Sequence, residues 1–190
     1  GFDQLPNTYV LKLGGYENAN YKLPKTKKGI EGEINLLLFG RVEPYKGYEK
    51  LPILLKRLNT YADHFKLKVN IRMIGKGANK HSGLYKEIKC TDGYVSEDEL
   101  IKISKSIDVN LLPYTSATQS GVLLHVASLG IPSVAFNVGS VEAQMQESIG
   151  IMVDAGNYDL FAKTVFDVYF DRNDRFSRQQ VYQSYASHYS

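Results

Sequence analysis

Apolar residues along this chain follow two rhythms. From Ile34 onward, short and nearly continuous apolar runs recur: INLLLF (34–39), VNIRMI (69–74), DVNLLP (108–113), PSVAF (132–136) and GIMV (150–153). Each has the length of a strand, and the lack of polar alternation suits strands buried on both faces. Between the runs, apolar residues return every three or four positions. Leu51, Leu54, Leu55, Leu58, Ala62 and Phe65 define one helical stripe. Ser96 followed by Glu97, Asp98 and Glu99 predicts an N-cap with an acidic first turn, ahead of Leu100, Ile101 and Ile103. Residues 121–129 are almost wholly apolar and predict a buried helix, and Leu160, Phe161, Val165, Val168 and Tyr169 outline an amphipathic one. Alternation of this kind, with one crossover per strand, predicts an α/β parallel sheet with helices on both faces.

The pattern is missing from residues 1–33, which are rich in Gly, Asn and Lys and read as a lead-in or linker with one short strand near residues 9–13. Composition narrows the class. A chain of 190 residues that is 43% hydrophobic and 23% charged has the makings of one cored domain and is not disordered by composition. No apolar run reaches the roughly 18 residues of a membrane span, and the first ten residues lack the pattern of a secretory signal. The expected compartment is the cytoplasm. The single cysteine, Cys90, has no disulfide partner and no companions for a thiolate zinc site. A net charge of +3 gives no case for nucleic acid. Its distribution is uneven: residues 1–95 carry 17 Lys/Arg against 9 Asp/Glu, and residues 96–190 carry 6 against 11. That bias fits either a face for an anionic ligand or, for the five lysines between Lys12 and Lys28, a solvated surface.

Ligands of a parallel α/β sheet bind beyond the carboxyl ends of its strands, so the loops after the apolar runs hold the candidate chemistry. The first is GRVEPYKG (40–47). Gly40 permits a sharp turn, and Arg41 and Lys46 follow the strand closely enough to share one crevice, where a planar fork and a mobile point charge together neutralise a diphosphate. The competing reading has both residues solvated, or Arg41 paired with Glu43. The order Lys-Gly is not that of a Walker loop. The second, GKGANK (75–80), is a fragment of a dinucleotide fingerprint with Lys80 at the third glycine position, and reads better as a tight turn. The third, PYTSATQSG (113–121), runs from small polar residues into the buried helix. Helix N-termini present unpaired N–H groups to anions, and capping by Thr118 or Ser120 leaves other donors free. His125 lies among Leu124, Val126 and Ala127, which on its own reads as a core histidine.

Taken in order, GRVEPYKG, IGKG, CTDGYVSEDELIKISKSIDVNLLPY and SGVLLHVASLGIPSVAFNVGSVEAQMQ resemble the C-terminal half of group 1 glycosyltransferases over residues 34–172. The resemblance implies the Rossmann-like donor half of a GT-B fold that moves sugar from a nucleotide-diphosphate sugar, a UDP- or GDP-sugar, with no metal and no other cofactor. It implies retention of stereochemistry and a role in surface polysaccharide assembly. It assigns Gly40, Arg41 and Lys46 to the donor diphosphate, together with the helix start at Ser120, Gly121 and Val122. Tyr94 and Val95 match the loop that contacts the base, and residues 138–142 match a Gly-rich turn before a later helix. Most of the family carries two glutamates eight positions apart around the buried helix; Ala117 and His125 stand there in this chain. That departure leaves ribose recognition to His125 or a neighbour. A branch of the family resembles this chain in having Thr118, Gln119, Ser120 and Gly121 in that loop, with the Gln119 amide available to the donor. The resemblance further implies a saccharide or lipid-linked saccharide acceptor, held by an N-terminal acceptor domain outside these residues. On that view residues 173–190 form a C-terminal helix approaching the missing half, and the full-length protein sits at the inner membrane face. A non-catalytic nucleotide-sugar-binding or scaffold module is the alternative. An NAD-type oxidoreductase is disfavoured, because no complete Gly-x-Gly-x-x-Gly follows the first strand.

Overall fold

The computed structural model describes residues 32–117 and 119–189. The lead-in strand expected near residues 9–13, and Thr118, lie outside the described residues. Six strands, β1 (Glu33–Phe39), β2 (Lys68–Gly75), β3 (Ile88–Asp92), β4 (Val109–Leu112), β5 (Ser133–Asn137) and β6 (Gly150–Asp154), form one sheet in the order β3-β2-β1-β4-β5-β6. Every pairing is parallel. The five runs foreseen from the pattern are all strands. The sixth, β3, has a partly exposed edge and a weaker apolar signal.

The continuous apolar runs are explained by burial on both faces. Ile34, Leu36 and Leu38 of β1 join Val69, Ile71 and Met73 of β2 in one core, under helices α1 (Leu51–Phe65) and α5 (Tyr158–Phe170). Leu37, between them, enters a second core with Ile74, Leu100 of α2 (Glu97–Ser104) and Val126 of α3 (Gly121–Ser128). Leu112 and Ala135 belong to a third, closed by Val181 and Tyr185 of α6 (Arg178–Tyr189). The helix near the C-terminus covers Arg178–Tyr189, and its residues Val181 and Tyr185 pack within this domain. Such two-sided covering leaves the strand ends as the places where polar chemistry can reach solvent.

Local signals held where they were local. Ser96 Oγ accepts the N–H of Glu99 and starts α2. The α1 stripe is buried from Leu51 to Ala62, but Phe65 is 40% exposed. It stands at the end of α1 and rests its ring on Phe166 and Phe170 of α5. Leu160, in the first turn of α5, is also partly exposed.

What positions the site is the order of the strands. The chain builds β1, β2 and β3 in one direction, returns through α2, and lays β4 beside β1. The helices that follow β1 and β4, α1 and α3, then pack on opposite faces of the sheet, and the loops leading into them meet at the carboxyl edge.

Candidate anion-binding site

The loop after β1 is shaped to carry a lysine back to the strand it has just left. Gly40 takes φ +93°, its N–H donates to Ile74 O at 2.8 Å, and the chain turns out of the sheet. A single 3-10 turn over Pro44–Lys46 ends at Gly47 in the left-handed region. The turn delivers Lys46 under the end of β1, where its ammonium donates to Phe39 O at 3.0 Å and lies 5.4 Å from the centre of the Tyr114 ring. Lys46 is 3% exposed. Burial pulls its pKa down to about 8, with Arg41 repulsion adding to the fall and Glu43 opposing it. A cation removed from water and given one carbonyl lacks most of the solvation it has lost.

The loop after β4 is fastened to this one. Thr115 donates to Tyr45 O from both its N–H, at 2.7 Å, and its hydroxyl, at 3.1 Å. Two of the donors at the foot of α3 are used: Ser120 N–H donates to Gln144 Oε1 at 2.7 Å, and Leu123 N–H to Ser120 Oγ at 3.2 Å. The N–H groups of Gly121 and Val122 have no partner among the described residues. Both loops converge on Gly40: a Cβ placed there would stand 2.7 Å from Lys46 Nζ and 3.0 Å from Val122 Cγ2. Only a glycine lets the ammonium and the helix start come so close to the strand end.

Arg41 behaves differently. Its side chain is 62% exposed and pairs loosely with Glu43 at 3.7 Å. Its guanidinium is held in the charged form chiefly by a hydrogen bond with Tyr94, then by the fields of Tyr94 and Glu43. Tyr94 is 85% exposed, and Val95 packs on the core that also touches Phe39 and Val122. Gln119 and Ala117, with Tyr45, Thr115, Ser116, Val138 and Gly139, line a cavity of about 570 Å³. His125 sits edge-on to Phe39, 5.5 Å between ring centres, with Nε2 3.3 Å from Glu97 Oε2.

The GKGANK loop is a turn, as its sequence favoured. Asp92, at the end of β3, accepts from Gly77 N–H at 2.6 Å and Asn79 N–H at 3.4 Å. A carboxylate of the chain itself fills that anion nest. Gly75, at φ +147°, is a close approach of two backbones, since a Cβ there would strike Gly40 O.

Sequence reasoning missed Tyr114, Gln144 and Glu97 as parts of this site. Tyr114 and Gln144 carry no local signal. Glu97 has one, but it was absorbed into the acidic first turn of α2. Among the described residues no group of three or more His, Cys, Asp or Glu side chains could hold a metal ion, and no helix is long and apolar enough to cross a membrane.

An open parallel sheet of this order, with cationic and N–H donors gathered where β1 and β4 diverge, defines a Rossmann-like α/β domain. Residues 33–171 match the family model of the group 1 glycosyl transferases, and the chain belongs to that family. No curated protein matches it in sequence. Among solved structures it is similar to sucrose-phosphate synthase from Thermosynechococcus elongatus, with TM-score 0.66 and 15% identity over 84% of this chain and 42% of that one. It is also similar to Anabaena Alr3699/HepE in complex with UDP, with TM-score 0.64 and 15% identity over 84% of this chain and 45% of that one. The E. coli trehalose-6-phosphate structure bound with UDP-2-fluoro glucose gives TM-score 0.63 and 14% identity, over 83% of this chain and 41% of that one. The chain spans less than half the length of each of these structures. The fold is the Rossmann-like α/β fold of GT-B glycosyltransferases.

Proposed function

We propose that this chain binds the nucleotide-diphosphate sugar of a glycosyl transfer and stabilises the diphosphate as it leaves. The observation that carries the reading is the buried Lys46 ammonium, with one acceptor among the described residues, beside the N–H groups of Gly121 and Val122, which have no partner among them. A diphosphate supplies the acceptors that all three lack. Arg41, largely exposed to solvent, reaches the same charge from outside. Such preorganised donors are worth most where negative charge develops on the leaving group, and they supply it without a metal ion. Two structural neighbours were determined with UDP or a UDP sugar, which supports a UDP- or GDP-linked donor here.

In this reading Tyr94 and Val95 border the base. The cavity beside Ala117 and Gln119 takes the sugar, with the Gln119 amide offered to its hydroxyls. The acceptor, a saccharide or lipid-linked saccharide of surface polysaccharide assembly, is held by a preceding acceptor domain. Retention of configuration belongs to the same family reading. A non-catalytic donor-binding module is the second reading, favoured by Ala117, which lines the cavity at a position where the family resemblance implies a glutamate.

Lys46→Met tests the proposal without sacrificing the fold, since it keeps the buried stem and removes the charge. Binding of UDP or GDP, whichever binds wild type, should weaken by about ten- to a hundredfold, the worth of a lost charge-assisted hydrogen bond. Arg41→Ala should weaken it in the same direction. Unchanged affinity in both variants by calorimetry overturns the diphosphate assignment.

A further inference from the structure

We infer that Glu97, held by His125, reads the ribose diol of the bound nucleotide, an inference that rests on the donor-binding reading above. Gly121, Val122 and His125 share one face of α3, because residues three and four apart are stacked a turn above one another. A turn of helix rises about 5.4 Å. That is comparable to the span from the inner phosphate of a nucleotide to its ribose hydroxyls. A diphosphate seated on the first turn of α3 therefore brings its ribose to the level of His125.

What stands there is a carboxylate. His125 Nε2 lies 3.3 Å from Glu97 Oε2 and 3.4 Å from Oε1, a nearly symmetric approach that turns both oxygens toward α3. The histidine ring is braced edge-on against Phe39, the last residue of β1, and its side chain is 15% exposed. The Glu97 side chain is 48% exposed, so its carboxylate keeps access to solvent beside α3. A carboxylate has about four acceptor sites. One imidazole leaves room for the two O–H donors of a vicinal diol. The plainer role for Glu97 is to complement the N-terminus of α2, and Asp98 and Glu99 are placed to do that as well. Only Glu97 of the three is paired with α3. Tyr94, three residues earlier on the same loop, adds an exposed ring for the base. Glu97 is thus the specificity residue and His125 the positioning residue that aims it.

The test compares UDP and GDP with their 2′,3′-dideoxy counterparts by calorimetry on this chain, in wild type, Glu97→Ala, Glu97→Gln and His125→Ala. Wild type should prefer the ribose form by about ten- to a hundredfold. Glu97→Ala should reduce ribonucleotide affinity to the dideoxy level and leave dideoxy affinity unchanged. Glu97→Gln, which keeps the size of the side chain, should narrow the preference and carries the test if the alanine variant is unstable. His125→Ala should narrow it while phosphate-driven dideoxy binding persists. A ribose preference that survives in both Glu97 variants, or an equal loss for both nucleotide forms, overturns the inference and leaves the donor-binding reading standing. Absence of nucleotide binding by wild type overturns both.

Discussion

A lysine ammonium that is 3% exposed and bonded to a single carbonyl is costly to keep charged. The cost has a signature in pH. The folded-state pKa of Lys46 is about 8, below its ordinary 10.5, so between these values the unfolded chain holds the proton and the folded one does not. Stability then rises with pH across that window. The penalty is fully present below about pH 8 and gone above about 10.5. Urea denaturation from pH 7.5 to 10.5 should show this rise in wild type, and a difference plot against Lys46→Met should isolate it. A flat difference plot would mean that the ammonium is better solvated than its surroundings imply. Diphosphate binding should run the other way, weakening as the free protein loses the Lys46 proton above about pH 8. Lys46 was legible in the sequence as a basic residue close behind a strand. Its burial was not, because the wall that covers it is Tyr114, contributed by the loop after a different strand.

At the scale of elements, the foot of α3 is built by its neighbours. The short helix α4 (Val141–Gln144) ends in a buried glutamine whose Oε1 takes the Ser120 N–H, and whose own carbonyl accepts the Tyr189 hydroxyl of α6 at 2.8 Å. Gln144 therefore sets the path of the loop 113–120 from one side while Thr115 ties it to Tyr45 on the other. Gln144→Met leaves the Ser120 N–H buried and unpaired, which costs about 1–3 kcal/mol. It should lower stability by that amount in urea denaturation and loosen UDP or GDP binding through the displaced helix start. Wild-type values on both counts would mean that Ser120 finds another acceptor unaided. The N-cap of α3 was readable as Thr118 or Ser120, local capping residues before an apolar run, and the structure uses Ser120. The partner of its N–H was not, because α4 is one turn long and nothing in its sequence marks it as a support.

At the scale of the molecule, the parts proposed to hold the donor stand together in one domain, and the chain spans less than half the length of the three structures compared above. Binding and transfer should therefore separate. At a ligand concentration one hundred times the dissociation constant, UDP or GDP should add about 2.7 kcal/mol of stability. At about 2–4 °C per kcal/mol for a chain of this size, that is a melting shift of roughly 5–11 °C. Transfer needs an acceptor hydroxyl held against the sugar, an arrangement worth about 7–11 kcal/mol of barrier. We expect this chain to bind donor nucleotide and to yield no glycosylated product by mass spectrometry with an acceptor panel. Efficient transfer would show that the acceptor site lies within these residues.

The strands and helices were determined by the sequence itself, through the spacing of its apolar positions. A run buried on both faces and a stripe repeating every three or four residues are local facts, as are Ser96 and Ser120 as caps and Gly40 as a turn. The resemblance of ordered segments carried the family reading further, to Arg41, Lys46 and the start of α3. Tertiary structure decided the rest, because burial and pairing depend on which distant segments meet. The same kind of glycine loop is open to a ligand after β1 and closed by Asp92 after β2. Phe65 continues a helical stripe in sequence yet emerges at the helix end, where the sheet no longer lies beneath it. His125 reads as core among its apolar neighbours, but strand order brings α2 alongside α3 and gives it Glu97. Periodicity is written along one segment of chain; a charge partner from another element is fixed only when the sheet sets the two side by side.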